Sequence, residues 1–182
     1  MRTYQELLAA GEDRRDRIEF IRGAVRDHRM SPALREAAEA QAYYAGENPA
    51  IMRYERVLYD MQGRAHRDLY AANHKIASGF FRFAVDQEVS YLLGNGVSFG
   101  RPDTKARLGA DFDQAVMDAA EFARVDGMSF GFWNLRRLEV FRLTEFVPLW
   151  DEEGRGLSAG IRFWQLSPDR PAYATLYEPD GL

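Results

Sequence analysis

The sequence predicts an α+β protein, with a helical N-terminal half packed on a C-terminal antiparallel β-sheet. Two observations carry this. Apolar residues recur at helical spacing from the N-terminus to Val125, most clearly over Asn73–Leu93 and Asp111–Val125. After Gly127 the period changes to two: Phe130 and Phe132 alternate with Ser129 and Gly131, and Leu157, Ala159, Ile161 and Phe163 alternate with Ser158, Gly160 and Arg162. Helices first and strands later is the pattern of segregated α+β layers.

Each element has a local reason. Thr3 with Glu6 fits a capping box for a short opening helix. Glu12–His28 reads as a second helix with Ile18, Ile21 and Val25 on one face, and Ser31-Pro32 starts a third that runs to about Tyr44. Gly46-Glu47-Asn48-Pro49 reads as a loop, followed by a short ordered piece over Tyr54–Tyr59 that ends near Gly63. Asn73 is a competent N-cap for the long helix. Ile76, Phe80, Phe83 and Ala84 lie on one of its faces, and Val85, Val89 and Leu92 on a neighbouring one. A helix apolar around so much of its girth is expected to be buried on more than one side, as the spine of the chain. Gly94 stands where a left-handed C-cap belongs, and Asn95-Gly96 can turn the chain. Pro102 to Gly109 reads as a loop or single turn, and Asp111–Val125 as a helix burying Phe112, Ala115, Val116, Ala119 and Phe122. Leu138–Val147 reads as one extended segment, Asp151–Gly154 as a turn, and Ala172–Tyr177 as a last strand. Glu178-Pro179-Asp180-Gly181 is a turn signal of the kind that leads into another strand, so the sequence reads as a fragment.

Composition bounds the function. At 182 residues, with 46% hydrophobic and 29% charged residues, the chain fits one globular core. No apolar run approaches the roughly 20 residues of a membrane helix, and the N-terminus lacks a signal-peptide core, so no membrane partner is expected. The absence of cysteine excludes disulfides, thiolate metal sites and cysteine nucleophiles, and suits a reducing cytoplasm. A net charge of -4 argues against a surface dedicated to coating nucleic acid. Lys75 and Lys105 are the only lysines among 24 basic residues, which reads as a GC-rich coding bias.

The chemical motifs have stronger structural readings. Gly127-Met128-Ser129-Phe130-Gly131 matches G-x-S-x-G, but a nucleophile elbow needs a strand before the serine and a helix after it. Here the order is reversed, and His28, His66 and His74 all precede Ser129. Gly94, Gly96 and Gly100 follow a helix instead of opening one, so they form no dinucleotide loop. His66 and His74 lack metal-ligand spacing, and Asp151, Glu152 and Glu153 read as solvated turn charges. No catalytic residue, cofactor or metal is expected. Trp133, Trp150 and Trp164 read as core or interface anchors. Arg15, Arg22, Arg26 and Arg29 share a narrow stripe of the second helix at about 100° per residue, beside Glu12, Asp16 and Glu19. This basic patch is the one candidate contact site: a solvated or subunit-bridging face ahead of a phosphate contact.

The long helix carries a resemblance. A helix ending Asp-x-x-x-x-Tyr-Leu-x-Gly, here Asp86, Tyr91, Leu92 and Gly94, then a turn and a short strand, resembles the portal proteins of tailed double-stranded DNA bacteriophages. The likeness runs from about Tyr43 to Leu182, through Tyr43-Tyr44-x-Gly46 and Ile51, the closing Gly127, Phe146-Val147-Pro148-Leu149-Trp150-Asp151 and Ala159-Gly160-Ile161-Arg162; the first 40 residues match loosely. The resemblance implies a non-enzymatic subunit of a homo-oligomeric ring, usually a dodecamer, at one vertex of the capsid. It would assemble in the host cytoplasm and then remain in the virion. Double-stranded DNA passes through such a ring, and terminase, capsid or scaffold proteins and head–tail connector proteins dock on it. The chain would then be one wing-like fragment over 1–182, mainly helical over 1–94, loop and helix over 95–126 and mainly β over 127–182. The stem, clip and crown, and with them the DNA contacts and much of the ring contact, would lie outside it. The alternative reading is a small cytoplasmic α+β enzyme or ligand-binding domain without a recognisable site motif.

Overall fold

The computed structural model describes residues 2–167 and 169–179. In chain order the elements are α1 (Tyr4–Ala9), α2 (Arg14–Arg29), α3 (Pro32–Tyr44), α4 (Pro49–Arg53), β1 (Val57–Tyr59), β2 (Ala65–Arg67), α5 (Phe80–Leu93), α6 (Pro102–Leu108), α7 (Phe112–Asp126), β3 (Ser129–Trp133), β4 (Leu138–Arg142), β5 (Phe146–Trp150), β6 (Leu157–Gln165) and β7 (Ala172–Tyr177). The class is α+β, and every sheet is antiparallel.

The helix starts follow their caps. The Thr3 hydroxyl accepts from the Glu6 amide, the Asp13 carboxylate from the Arg15 amide, and the Ser31 hydroxyl from the Leu34 amide. Proline occupies the start of α3, α4 and α6, where no amide hydrogen is needed.

Three clusters of buried residues make the core. In the first, Leu7 of α1 with Phe20 and Ala24 of α2 packs on Val147, Leu149, Ala159, Ile161 and Phe163. These are inward residues of the three-stranded sheet β5-β6-β7, so α1 and α2 cover one face of that sheet. On the other face Phe146 stacks on Phe130 and Phe141 of the β3–β4 hairpin, at centroid separations of 4.5 and 5.6 Å, and Tyr177 closes the cluster. Gly160 is required there, because an added Cβ would overlap the Phe146 ring. The third cluster joins Val85 and Val89 of α5 to Val125 of α7, with Ala40 and Tyr44 of α3 at its edge. Helix α3 borders the α5–α7 pair, and α7 itself packs directly on β3 and β4.

Several expectations are corrected. The long helix begins at Phe80, not Asn73. A glycine in a helix interior costs about 1 kcal/mol, and Ser78-Gly79 stands where the helix would otherwise extend backwards. The preceding stretch is held instead by side chains: Asn73 donates to the Tyr54 carbonyl at 3.3 Å and Asn48 to the Ser78 carbonyl at 2.9 Å. Helix α5 buries one face only. Val85 and Val89 face the core, while Phe80 and Phe83 are 73% and 58% exposed, and Ile76 and Leu92 are exposed too. Phe80 and Phe83 are therefore no part of a spine. Gly94 is right-handed, with φ -59°; the left-handed turn falls two residues later, at Gly96, with φ 70°.

The remaining differences are in the loops and strands. The loop read over Gly46–Pro49 runs into α4 at Pro49, the loop or single turn read over Pro102–Gly109 forms α6, and the segment after Tyr54 is a β1–β2 hairpin. In α7 the residues read as its buried side are half-buried, and Val125 and Asp126 at its end are the buried ones. The strand half is a hairpin and a separate three-stranded sheet, because the run Leu138–Val147 breaks at a 3-10 turn over Leu143–Glu145. The Glu145 carboxylate accepts from the Arg142 amide at 3.2 Å and fixes that turn. The turn expected over Glu178–Gly181 falls partly on residues 180–182, which lie outside the described residues.

The burial pattern separates two classes of apolar residue. Ile161→Ala, at a fully buried site, is expected to lower unfolding stability by about 2–5 kcal/mol. Phe83→Ala is expected to change it by about 0.5 kcal/mol or less, as at other exposed sites. Urea melts of the two variants beside the parent chain measure both.

Candidate subunit-contact surface

The sequence stripe on α2 is real and faces outward: Arg15, Arg22, Arg26 and Arg29 are all exposed. The helix buries Phe20 and Ala24 against the sheet, which leaves the four arginines on its exposed side. Three of the four share a feature. Arg22, Arg26 and Arg29 form the lip of an open groove of about 680 Å³ between α2 and the start of β7. Its floor is apolar, made by Ile21, Val25, Phe163 and Ala174. The Arg29 guanidinium lies 5.1 Å from the centroid of the Phe163 ring. Arg26 lies 3.8 Å from Asp27, whose closer partner is Arg2 at 2.8 Å. Arg22 has no ion pair or hydrogen bond among the described residues. Arg15 stands at the first turn of α2, away from the groove lining.

A second surface, missed in the sequence, lies on α5. At about 100° per residue the side opposite Val85 and Val89 carries Phe80, Phe83, Ala84, Gln87 and Tyr91. It has no charged residue, and Tyr91 is 90% exposed. The charges on its flanks are neutralised within the chain: Arg82 pairs with Asp86 at 3.5 Å, and Glu88 with Arg124 of α7 at 2.6 Å. Asp86 also accepts from the Tyr44 hydroxyl at 2.8 Å, and burial with this hydrogen bond pushes the Tyr44 phenol well above its ordinary range. A solvent-facing helix side normally carries charge, and a bare aromatic stripe marks a contact surface.

The chain matches the phage portal protein family, SPP1 Gp6-like, over residues 27–128, more than half of its length. It belongs to that family. No curated protein matches it. The match runs from the last turn of α2 to the end of α7, so it includes the α5 stripe and the helix ending in Asp86, Tyr91, Leu92 and Gly94. The Phe146–Asp151 and Ala159–Arg162 segments lie outside it.

Ser129, His66 and His28 of this portal-family chain each have a structural partner. The Ser129 hydroxyl donates to the Ala119 carbonyl at 2.8 Å, at the strand start expected from its glycine-flanked context. His66 pairs with Asp60 at 3.1 Å on the β1–β2 hairpin. His28 lies on a cleft of about 590 Å³ between α2 and β5, with Nε2 2.8 Å from the Leu143 carbonyl. Among the described residues no group of three or more histidine, aspartate or glutamate side chains could hold a metal. No helix there is long and apolar enough to cross a membrane.

The buried charge is Asp126, at the C-terminal end of α7. Its Oδ1 accepts from Gln41 Nε2 at 2.9 Å and from Arg142 Nη1 at 3.2 Å, and its Oδ2 is buried without a partner. Arg142 also reaches Glu121 at 3.4 Å and lies 3.9 Å from the centroid of the Phe122 ring. Gln41 further donates to the Thr144 hydroxyl at 3.2 Å. Burial raises the Asp126 pKa, against the opposing pull of Gln41 and Arg142. This cluster ties α3, α7, β4 and the 3-10 turn together.

Removing the guanidinium with Arg142→Ala strands the buried carboxylate. It is expected to cost about 3–5 kcal/mol by chemical denaturation, with part of that recovered in Arg142→Ala/Asp126→Asn. A pH effect comes from His28. Burial holds its imidazole below the ordinary 6.5, only partly opposed by the Leu143 contact. The unfolded chain therefore takes up a proton near pH 6.5 that the folded chain accepts only at lower pH. Stability is thus expected to fall as the pH drops from about 6.5 through the folded value. Asp126 has the opposite sign, so the measurement is the difference between parent and His28→Gln melts from pH 7.5 to 5; the variant should show the shallower acid-side loss.

Proposed function

We propose that the chain is a subunit of the portal ring of a phage or prophage, a structural and non-enzymatic part of the head. In this reading the ring sits at the capsid vertex, is dodecameric and assembles in the host cytoplasm. DNA is packaged and ejected through it, and terminase, capsid or scaffold and head–tail connector proteins dock on it. The observation that carries the reading is the family match across residues 27–128. The α+β body described above corresponds to the outer wing, and the DNA contacts fall elsewhere in the ring subunit.

Physical support comes from the distribution of apolar surface. Helix α5 exposes Phe80, Phe83 and Tyr91, and the hairpin and its flanks expose Tyr59, Met61 and Tyr70. A free-standing soluble domain rarely leaves so many large apolar groups uncovered, whereas an assembly subunit buries them against neighbours. The competing reading, an α+β enzyme or ligand-binding domain, needs a free nucleophile or base in a cleft. The Ser129 hydroxyl is engaged by a backbone carbonyl, and His28 in its cleft lies against another.

Deleting the coding segment from the phage or prophage genome that carries it tests the function. Induction is then expected to yield heads without packaged DNA, restored by expressing the intact gene in trans. DNA-filled, infectious particles from the deletion strain would overturn the assignment.

A further inference from the structure

We propose that the outer face of α5 on one subunit seats in the α2–β7 groove of the next. The proposal rests on the portal reading and names the two faces that meet.

The two surfaces match in chemistry. The stripe reads Phe80, Phe83, Ala84, Gln87, Tyr91, which is the i, i+3, i+4, i+7, i+11 pattern of a helix laid into a groove. It offers aromatic faces and no charge. The groove offers an apolar floor and, on one lip, three guanidinium groups. Arginine stacks on aromatic rings and is weakly hydrated, so this lip suits Tyr91, Phe80 and Phe83 better than it suits an aliphatic surface. Arg22 has no partner among the described residues to give up on binding. On the stripe side, Arg82 and Glu88 already pair with Asp86 and Arg124, so no cation on the stripe itself opposes the lip.

They also match in length. From Phe80 to Tyr91 the helix rises about 16 Å, and from Ile18 to Met30, the groove residues at either end of the α2 wall, about 18 Å. The faces are separate on the subunit. Helix α5 packs in the cluster of Val85, Val89 and Val125, and α2 in the cluster of Leu7, Phe20 and Ile161, with α3 between them. One subunit can therefore use both at once. Two different faces meeting is a head-to-tail contact, the kind that propagates around a ring. A face-to-face pairing of two α5 stripes would stop at a dimer and leave the basic groove empty.

The absence of cysteine from these 182 residues gives a direct test. Gln87→Cys and Arg22→Cys are both exposed changes. The two single variants are mixed at high protein concentration and treated with a short bis-maleimide. The expected product is a pair of chains linked from position 87 of one to position 22 of the other, located by mass spectrometry of peptides. Its yield should be about tenfold or more over either variant alone, the margin for a specific contact above random encounter. The double variant is expected to give a ladder. Phe80→Ser/Phe83→Ser in the first partner, or Arg22→Glu/Arg26→Glu with the second cysteine placed by Val25→Cys, should cut the yield about tenfold or more, as loss of buried anchors does. Unchanged thermal melts show that these variants still fold. Self-linking of the Gln87→Cys variant, or a mixed yield no higher than the singles, overturns the contact. A chain needed for DNA packaging that gives no such cross-link keeps the portal reading and loses this contact; a cross-linking chain dispensable for packaging does the converse.

Discussion

A buried carboxylate joins the helical part of this protein to its strands. Asp126 ends α7 and is closed off from water, and its two donors come from elsewhere in the chain: Gln41 from α3 and Arg142 from β4. A charge in that position is tolerated only while both donors hold their places, because an isolated buried carboxylate is strongly disfavoured. The helix end, the middle of α3 and the end of the β3–β4 hairpin are thereby held to one geometry. Apolar packing alone is non-directional and would leave more freedom in how α3 sits against the strands.

The aromatic cluster takes over on the far side of that joint. Phe146 stacks between the hairpin and the three-stranded sheet, and it can approach so closely because Gly160 leaves the space beneath it open. The chain reaches this arrangement by turning sharply at Leu143–Glu145, directly after Arg142. The polar joint and the aromatic stack are thus neighbours in sequence as well as in space. The Leu143 carbonyl in the same turn receives His28 from the end of α2, which adds the first helical layer to the assembly.

What is left uncovered by this packing is as organised as what is buried. The inner side of α5 has its two valines packed on Val125, while its outer side presents aromatics without charge. Arg15, Arg22, Arg26 and Arg29 lie on the exposed side of α2 for the complementary reason: Phe20 and Ala24 occupy the inward side. The chain therefore presents two unlike exposed faces. One is apolar and neutral, and the other is apolar with a basic lip.

Much of this was legible in the residues. The α+β class, the caps at Thr3 and Ser31, proline at the start of α3, the change of period at Gly127 and the alternation along β6 are all local effects, set by side-chain bonding to nearby backbone and by the two strand faces. The portal family could be read from the order of residues around Asp86, Tyr91, Leu92 and Gly94, and the arginine stripe from its spacing. The tertiary structure alone decided which side of α5 is covered. Both sides are apolar, and periodicity reports a face without saying what packs on it. The same holds for the strand break at Leu143, where no glycine or proline marks the turn and a Glu145 side chain makes it. It holds too for the groove beneath Arg22, Arg26 and Arg29, whose floor is assembled from α2 and from strands more than a hundred residues further along the chain. Burial and concavity belong to pairs of elements, and a single stretch of sequence contains only one of each pair.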